Sequence, residues 1–482
     1  MDSYILDPRE WAETNFGGCK FGDKRLTDCL VDYAESVSVR PDESTPHQTQ
    51  CWNACRATYR FMDNDKVSYQ KIIKPHCERT LARADSGVWL SICDTTELSF
   101  SLKRTIKGLK PVGSGIGQGF FLHSSLLVSD ETGEIAGLAA QDLYYRIEAP
   151  KGEGSCARKQ RKRESEAWGR VVDRVGEPKP GVQIIHVCDR GADDYELFCR
   201  AYLCKAGWIV RVQHTKRKVH HADNLQSDGP ECKEKLQICK LLTDLPVLGT
   251  YELSVRGNKK QTARTAQVEV CCTNVWMPRP TATSPWVKKN GPRWIRMGVV
   301  QVREKKAPKG QEPLNWILYT QEPMQTFHDC WRALGRYEKR PIVEDYHKAA
   351  KTGAEIENRL YRTNKRLERV VGILAVVAAR ILQMRTVARV DPERPARKVA
   401  PKRWITCLCA IQRHQHPKAR HGWDPRTLTI RDFMRGVAML GGFLARKCDG
   451  EPGWITIWRG VKELLIILRA RRRRKKFRKA PT

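Results

Sequence analysis

The fold is read outward from Val88-Trp89-Leu90-Ser91-Ile92-Cys93-Asp94, a short, mostly apolar run closed by an aspartate. Its length and its β-branched and aromatic content predict a buried strand. The pattern recurs at Val182-Gln183-Ile184-Ile185-His186-Val187-Cys188-Asp189. An aspartate at the end of a buried parallel strand lies at the sheet edge, where ligand sites form. Two such strands side by side bring Asp94 and Asp189 together. Paired carboxylates repel unless a cation lies between them. Hard oxygen donors favour Mg²⁺, which keeps most of its waters and binds through one or two carboxylates plus phosphate. A single strand-end aspartate is also an ordinary turn residue, so each alone says little. Cys93 and Cys188 precede the acids, face the opposite way and are predicted as buried packing.

A third element sharpens this. Tyr337, Arg340, Lys348 and Lys351 lie at offsets −7, −4, +4 and +7 from Glu344. On one continuous helix all five share a narrow arc. Such an arc is either an exposed face of ion pairs, worth ~0.3–0.5 kcal/mol each, or a metal-binding carboxylate flanked by cations for a polyanion. Pro341 suits a first helical turn rather than an interior. That places Tyr337 and Arg340 just before the helix.

Charge points to the same class of partner. The chain of 482 residues has 87 Lys+Arg against 54 Asp+Glu, a net charge of +33, with 40% hydrophobic residues. The length suggests about three domains of roughly 150 residues, and the apolar fraction excludes wholesale disorder. A surface this basic attracts polyanions, nucleic acid first. Residues 1–70 hold 8 basic and 12 acidic residues, whereas residues 391–482 hold 24 and 7. The remainder of the excess falls between them. Lys151–Arg163 reads as a flexible basic loop. Arg469–Lys479, with nine basic residues and no acid, reads as a solvated tail or a phosphate-binding arm. The longest apolar run, Val370–Ala379, is about half of a bilayer span, so no membrane partner is expected. Met1-Asp2-Ser3-Tyr4 begins no basic-then-apolar leader. The expected compartment is therefore a reducing cytoplasm, with the 18 cysteines as thiols.

Periodicity organises the rest. Helices are predicted over 8–36, 48–60 and 68–84, forming a helical domain at 1–75. Strands follow over 120–129 and 133–143, with a turn at Asp130-Glu131-Thr132-Gly133, and a helix over 164–175. A helix at 195–205 and a strand at 208–213 come next. Residues 215–315 read as a separate β-rich unit, and 315–319 as a buried strand. Helices are then expected over 324–337, 341–352 and 354–386. A Pro-rich charged linker leads into a helical region at 391–482. The middle part, 76–390, is the catalytic candidate.

These residues carry a resemblance. Cys93-Asp94-Thr95-Thr96-Glu97-Leu98-Ser99-Phe100, Val187-Cys188-Asp189-Arg190-Gly191-Ala192-Asp193 and the Tyr337, Arg340, Glu344, Lys351 spacing resemble the three catalytic blocks of DDE cut-and-paste transposases. The group is the insertion-sequence-four group, that of the Tn-five transposase. Gly22-Asp23-Lys24-Arg25 and Tyr59-Arg60-Phe61 resemble its end-binding domain. Leu440-Gly441-Gly442-Phe443 and Gly450–Gly460 resemble its C-terminal dimerisation domain. The resemblance implies an α/β core of RNase H-like type with an inserted β-rich subdomain, flanked by helical N- and C-terminal domains. The separation of Asp189 from Glu344 suits that insertion. It implies that Asp94, Asp189 and Glu344 hold two Mg²⁺ ions, with Mn²⁺ able to substitute. Its partners would be double-stranded DNA, as transposon ends and target, and a second copy of the chain in a synaptic homodimer. Its location would be the nucleoid of a bacterial cytoplasm. Arg340, Lys348, Lys351 and Arg211 would grip phosphates, Tyr337 would position the cut strand, and Trp316 would stack a flipped base. In the acidic N-terminal domain, Lys20, Lys24, Arg25, Arg56 and Arg60 are the candidate DNA contacts. Two positions depart from the pattern. Gly191 replaces a common acid, and Cys29 a common arginine.

Other motifs are weaker. Gly113–Gly119 is followed by no helical pattern and has no Lys-Ser/Thr pair, so it is not a nucleotide loop. Cys407, Cys409, His414, His416 and His421 are metal-ligand types in a spacing that fits no common zinc template. Three further readings remain: a degenerate DNA-binding relative, an RNase H-like nuclease or resolvase, and a non-enzymatic RNA-binding protein. The three acids disfavour the first and the flanking domains the second. The third predicts binding without metal-dependent cleavage.

Overall fold

A computed structural model describes residues 5–101, 103, 105–113, 116–222, 227–255, 262–416 and 422–477. Five helices open the chain: α1 (Pro8–Phe16), α2 (Lys24–Val39), α3 (Thr45–Thr49), α4 (Trp52–Asp63) and α5 (Tyr69–Ala82). The single periodic stretch expected over 8–36 is two helices. Gly17 ends the first with its N–H on the Glu13 carbonyl at 2.8 Å. Gly22 turns at φ +81°, a conformation glycine adopts freely. The Asp23 carboxylate then caps the second by accepting the Arg25 N–H. Gln50, at φ 54°, separates α3 from α4 in the same way.

The centre is mixed α/β around one twelve-stranded sheet. Its strands are β1 (Gly87–Phe100), β2 (Lys110–Val112), β3 (Gly117–Ser129), β4 (Ile135–Tyr144), β5 (Val182–Cys188), β6 (Gly207–Arg211), β7 (Lys218–His221), β8 (Leu236–Gln237), β9 (Gly249–Val255), β10 (Arg264–Pro278), β11 (Trp294–Glu304) and β12 (Asn315–Thr320). The order is β2-β3-β1-β5-β6-β12-β11-β10-β7-β8, with β4 on β3 and β9 on β10. Between β4 and β11 lie α6 (Ser155–Gln160), α7 (Glu166–Val175), α8 (Tyr195–Leu203), α9 (Ile238–Leu241) and α10 (Pro285–Asn290).

Three expectations need correction. Asp94 does not end its strand, because β1 runs on to Phe100, paired antiparallel with β3 and with Asp94 opposite Ser124. What ends there is the parallel neighbour. Ile92 pairs with Val187, and β5 stops at Cys188. Asp94 is thus uncovered on the side where its neighbour has run out, level with Asp189. The stretch 215–315 is not a separate unit. β12 pairs antiparallel with β6 and with β11, which makes β7–β11 a continuation of the same sheet. Lys151–Arg163 is not a free loop. It contains α6, Arg161 forks onto Glu153 at 2.6 and 2.8 Å, and Arg163 is buried against Asp194 and Glu196, each at 3.0 Å.

The last third is helical: α11 (Phe327–Tyr337), α12 (Ile342–Lys348), α13 (Asn364–Val390), α14 (Lys402–Gln415), α15 (Ile430–Leu440) and α16 (Trp454–Phe477). The helix expected from 354 begins only at Asn364, capped by Thr363 accepting the Arg366 N–H. Residues before it form a short 3-10 turn at Ile356–Asn358. Over Val370–Ala379 α13 is apolar on every side, which marks an interior helix. It is long and apolar enough to cross a bilayer, but 94% of its most apolar window is buried inside the protein. Guanidinium groups from this region pin the N-terminal helices. Arg359 donates to the carbonyls of Pro41 and Glu43, Arg369 to those of Met62 and Val67, and Arg380 to that of Leu6. The basic segment from Arg469 continues α16 to Phe477 rather than leaving the fold there. Residues 478 and 479 of the expected arm lie outside the described residues.

Candidate active site

Three separate segments deliver the acids. Asp94 comes from the middle of β1 and Asp189 from the residue after β5, while Glu344 sits in the first turn of α12. A capping box of Thr326 and Asp329 starts α11, which ends at Tyr337. A turn then carries Arg340, whose N–H donates to the Tyr337 carbonyl at 2.9 Å. Pro341 stands at the N-cap of α12. The sequence placed Tyr337 and Arg340 before the helix, and both lie there.

Arg340 occupies the centre. Its Nη2 lies 3.0 Å from Asp94 Oδ2 and 3.7 Å from Asp189 Oδ2, and its Nη1 lies 2.6 Å from Glu344 Oε1. Three carboxylates from distant parts of the chain therefore share one cation. Burial pushes the Asp94 carboxyl up to about 6, with Arg340 opposing and Asp189 and Glu344 adding to the rise. Burial works against the Arg340 charge, yet the net direction is upward because Asp94, Glu344 and Asp189 surround it. Local hydrogen bonds aim the two aspartates. Asp94 accepts the Thr95 N–H at 2.8 Å and Asp189 accepts the Gly191 N–H at 2.8 Å. Space at Gly191 is tight. A Cβ there would lie 3.1 Å from Asp189 Oδ1 and 3.3 Å from the Trp168 ring.

Beside the acids stands an aromatic and cationic wall. The Trp316 ring meets the Tyr337 ring edge-on at 6.5 Å. The Arg211 guanidinium lies 5.8 Å over Trp316. Burial depresses Arg211, while neighbouring Tyr337 favours its charge and Arg190 and Arg340 oppose it. The Nε–H groups of Arg211 and Arg340 are buried with no acceptor among the described residues. Below, His347 is buried and held neutral, pushed down to about 3 by burial and by Lys351 and Arg340.

Asp94, Asp189, Glu344, Arg340, Tyr337, Arg211 and Trp316 are thus gathered in one place. Lys348 is exposed at the end of α12. Lys351 leaves the expected arc, because Ala349–Gly353 is a π-helical turn, and pairs with Glu357 at 3.2 Å. Glu357 also accepts the Ser99 N–H at 2.8 Å, tying this turn to β1. Nothing in the sequence singled it out, because its position depends on the irregular turn. Arg25 and Arg60 are exposed on α2 and α4. Arg25 and Lys24 pair with Asp23 and Asp28, each at 2.8 Å, and Lys20 and Arg56 are exposed. Cys29 is a half-buried thiol, pushed up to about 11 by burial and Asp32. Cys93 and Cys188 are buried as expected.

In the possible zinc group, Cys407 and Cys409 are buried on α14, His414 and His416 are exposed, and His421 lies outside the described residues. Among the described residues no three His, Cys, Asp or Glu side chains converge as a ready-made metal site. Ser114 and Gly115 of the glycine-rich stretch also lie outside them.

Residues 8–67 match the family model described as transposase DNA-binding, and residues 376–480 match that described as transposase Tn5 dimerisation domain. The first match covers α1 to α4, and the second starts within α13 and includes α14–α16. A cryo-EM structure of a piggyBac transposase synaptic complex with hairpin DNA is similar over 99% of this chain and 83% of that chain. Its TM-score is 0.40 and its sequence identity 10%.

Proposed function

The chain is a Tn5-like transposase by the two domains at its ends, and from that premise we propose that its central sheet is an RNase H-like core that excises DNA and inserts it elsewhere. The observation that carries the reading is the meeting of Asp94, Asp189 and Glu344 around the Arg340 guanidinium. The three carboxylates already share one cation, the Arg340 guanidinium, and their oxygen chemistry would suit Mg²⁺ or Mn²⁺ if they closed on an ion in its place. The three acids would hold the ions once Arg340 moves aside. Bound divalent ions supply stabilisation of negative charge on the attacking and leaving oxygens of phosphoryl transfer.

The remaining roles belong to the chain itself. Arg340 stands among the acids and Arg211 beside them over Trp316, and a guanidinium fork suits phosphate oxygens. Tyr337 braces Arg211 and Trp316. The Trp316 face offers a stacking platform for a base displaced from the duplex. The helical N-terminal domain recognises transposon ends, and the C-terminal domain pairs two copies so that both ends are cut in one assembly. The order of events in this reading is nicking at the element's end, attack of the freed 3′-hydroxyl on the opposite strand, opening of that hairpin, and strand transfer into target DNA. The working location is the cytoplasm, with the chromosome.

The test uses purified Asp94→Asn, Asp189→Asn and Glu344→Gln with a duplex carrying the element's end. Each variant is expected to bind the duplex as the parent does and to lose Mg²⁺-dependent cleavage. Cleavage retained in any one of them overturns the assignment.

A further inference from the structure

A second cluster of cations lies at the other end of the insertion strands. The turn joining β10 to β11, together with α6 and Lys235, encloses a cleft of about 450 Å³. Lys235, Arg279, Lys288 and Arg293 line it with Gln160 and Trp294, and no acid is among its described lining residues. All four cations are exposed. Arg293 stacks 5.2 Å over the Trp294 ring. Arg279 donates to the Gly291 carbonyl at 3.1 Å and shapes the turn. No carboxylate partner is found for any of the four among the described residues.

The cleft is built on a buried frame. Glu196 accepts from Arg163 at 3.0 Å and from Ser284 Oγ at 2.8 Å. Ser284 in turn caps α10, which carries Lys288. Gln160 reaches the Thr283 carbonyl at 3.4 Å. The acids of this region are thus directed inward, holding α6, α8 and the turn together, and the cations are left facing solvent. Like charges so placed repel one another, and a polyanion relieves that repulsion.

Position separates the cleft from Trp316, at the far side of the candidate active site. Trp294 begins β11, and Val302, eight residues on, pairs with Trp316. At ~3.4 Å per residue the span is about 27 Å, roughly eight base pairs of duplex. We infer that this cleft is a second DNA-backbone site, holding phosphates roughly eight base pairs or more from the cut. The inference rests on the transposase reading above. The phosphates belong either to the far part of the transposon-end duplex or to the target duplex.

The test compares the wild-type chain with Lys235→Ala/Lys288→Ala/Arg293→Ala, leaving Arg279 in place. Binding of a random-sequence duplex is measured against salt concentration. Losing three phosphate contacts should flatten the log–log slope by about 2 to 3. Thermal melting checks the fold, and Lys288→Arg/Arg293→Lys should bind as the parent does. Cleavage is then assayed on short ends, which stop within about eight base pairs of the cut, and on long ends, with strand transfer assayed separately. Normal cleavage with at least a tenfold loss of strand transfer assigns the cleft to the target. Loss of cleavage confined to long ends assigns it to the end duplex. An unchanged salt slope with unchanged cleavage and transfer overturns the inference. A parent chain that never cleaves would sink the transposase reading instead, while the salt slope would still decide the cleft.

Discussion

Arg340 Nη2 donates to Asp94 Oδ2 at 3.0 Å, across 246 positions of sequence. The guanidinium also touches Glu344 and Asp189, so it acts as the counter-ion that lets three carboxylates stand together.

Arg340→Gln should therefore lower the melting temperature in EDTA. Hydrogen bonds between charged groups are worth ~1.5–3 kcal/mol when buried, and the Arg340 side chain is only 16% exposed. Mg²⁺ should then raise the melting temperature of the variant more than that of the parent, because the ion replaces the missing charge. Equal gains would show that the guanidinium and the ion do not compete for the same acids.

Trp316 stands half-buried beside Arg211 and Tyr337. Trp316→Ala should weaken binding of an end duplex carrying an unpaired base at the cut by ~1–3 kcal/mol. Trp316→Phe should recover most of that. A 2-aminopurine at the unpaired position gives the readout, since stacking quenches it. Quenching that survives in Trp316→Ala would remove the stacking role.

His76 joins the N-terminal helices to the sheet. Leu138 N–H donates to its Nε2 at 3.1 Å, and its Nδ1–H donates to Asn15 Oδ1 at 2.7 Å. Burial, then Arg79 and Arg83, push its pKa down to about 3, below an unfolded value of about 6.5. The neutral form is the folded one. Its contribution is complete above pH 6.5 and declines as pH falls toward 3, by ~1.4 kcal/mol per pH unit. His123 and His347 act in the same direction. His76→Gln should be less stable than the parent at pH 8 and show a shallower fall between pH 6.5 and 4.5. Parallel stability curves for the two proteins would refute this.

The C-terminal glycines allow α15 and α16 to touch. A Cβ on Gly460 would overlap the Val437 carbonyl, and one on Gly441 the Thr456 carbonyl. Gly460→Ala and Gly441→Ala should each cost ~3 kcal/mol by overpacking. The loss should appear in thermal melting and, through the displaced helices, in weaker self-association on sedimentation. A wild-type melting curve for either variant would contradict the packing.

Much of the site was legible because strand and helix periods are local. β5 needed only its apolar run, and Pro341 alone marked the break before α12. Other features were not legible. Asp94 read as a strand end because the sequence shows an acid after an apolar run, but it does not show that β3 keeps pairing with β1 after β5 has stopped. The basic stretch around Arg163 read as a loop because its partners, Asp194 and Glu196, lie thirty-odd positions away. Lys351 was displaced by a π-helical turn, which no residue spacing announces.

The sequence by itself determined the kinds of group present: three acids on or beside apolar strands and a helix, cations spaced to accompany the third, and a positive charge calling for a polyanion. Their side-chain chemistry and short-range periodicity do not depend on the rest of the chain. Only the tertiary structure decided that the three acids meet on Arg340, that residues 215–315 extend the sheet, and that Lys235, Lys288 and Arg293 gather away from those acids. Those facts rest on long-range strand pairing and on buried ion pairs, whose partners become neighbours only when the chain folds.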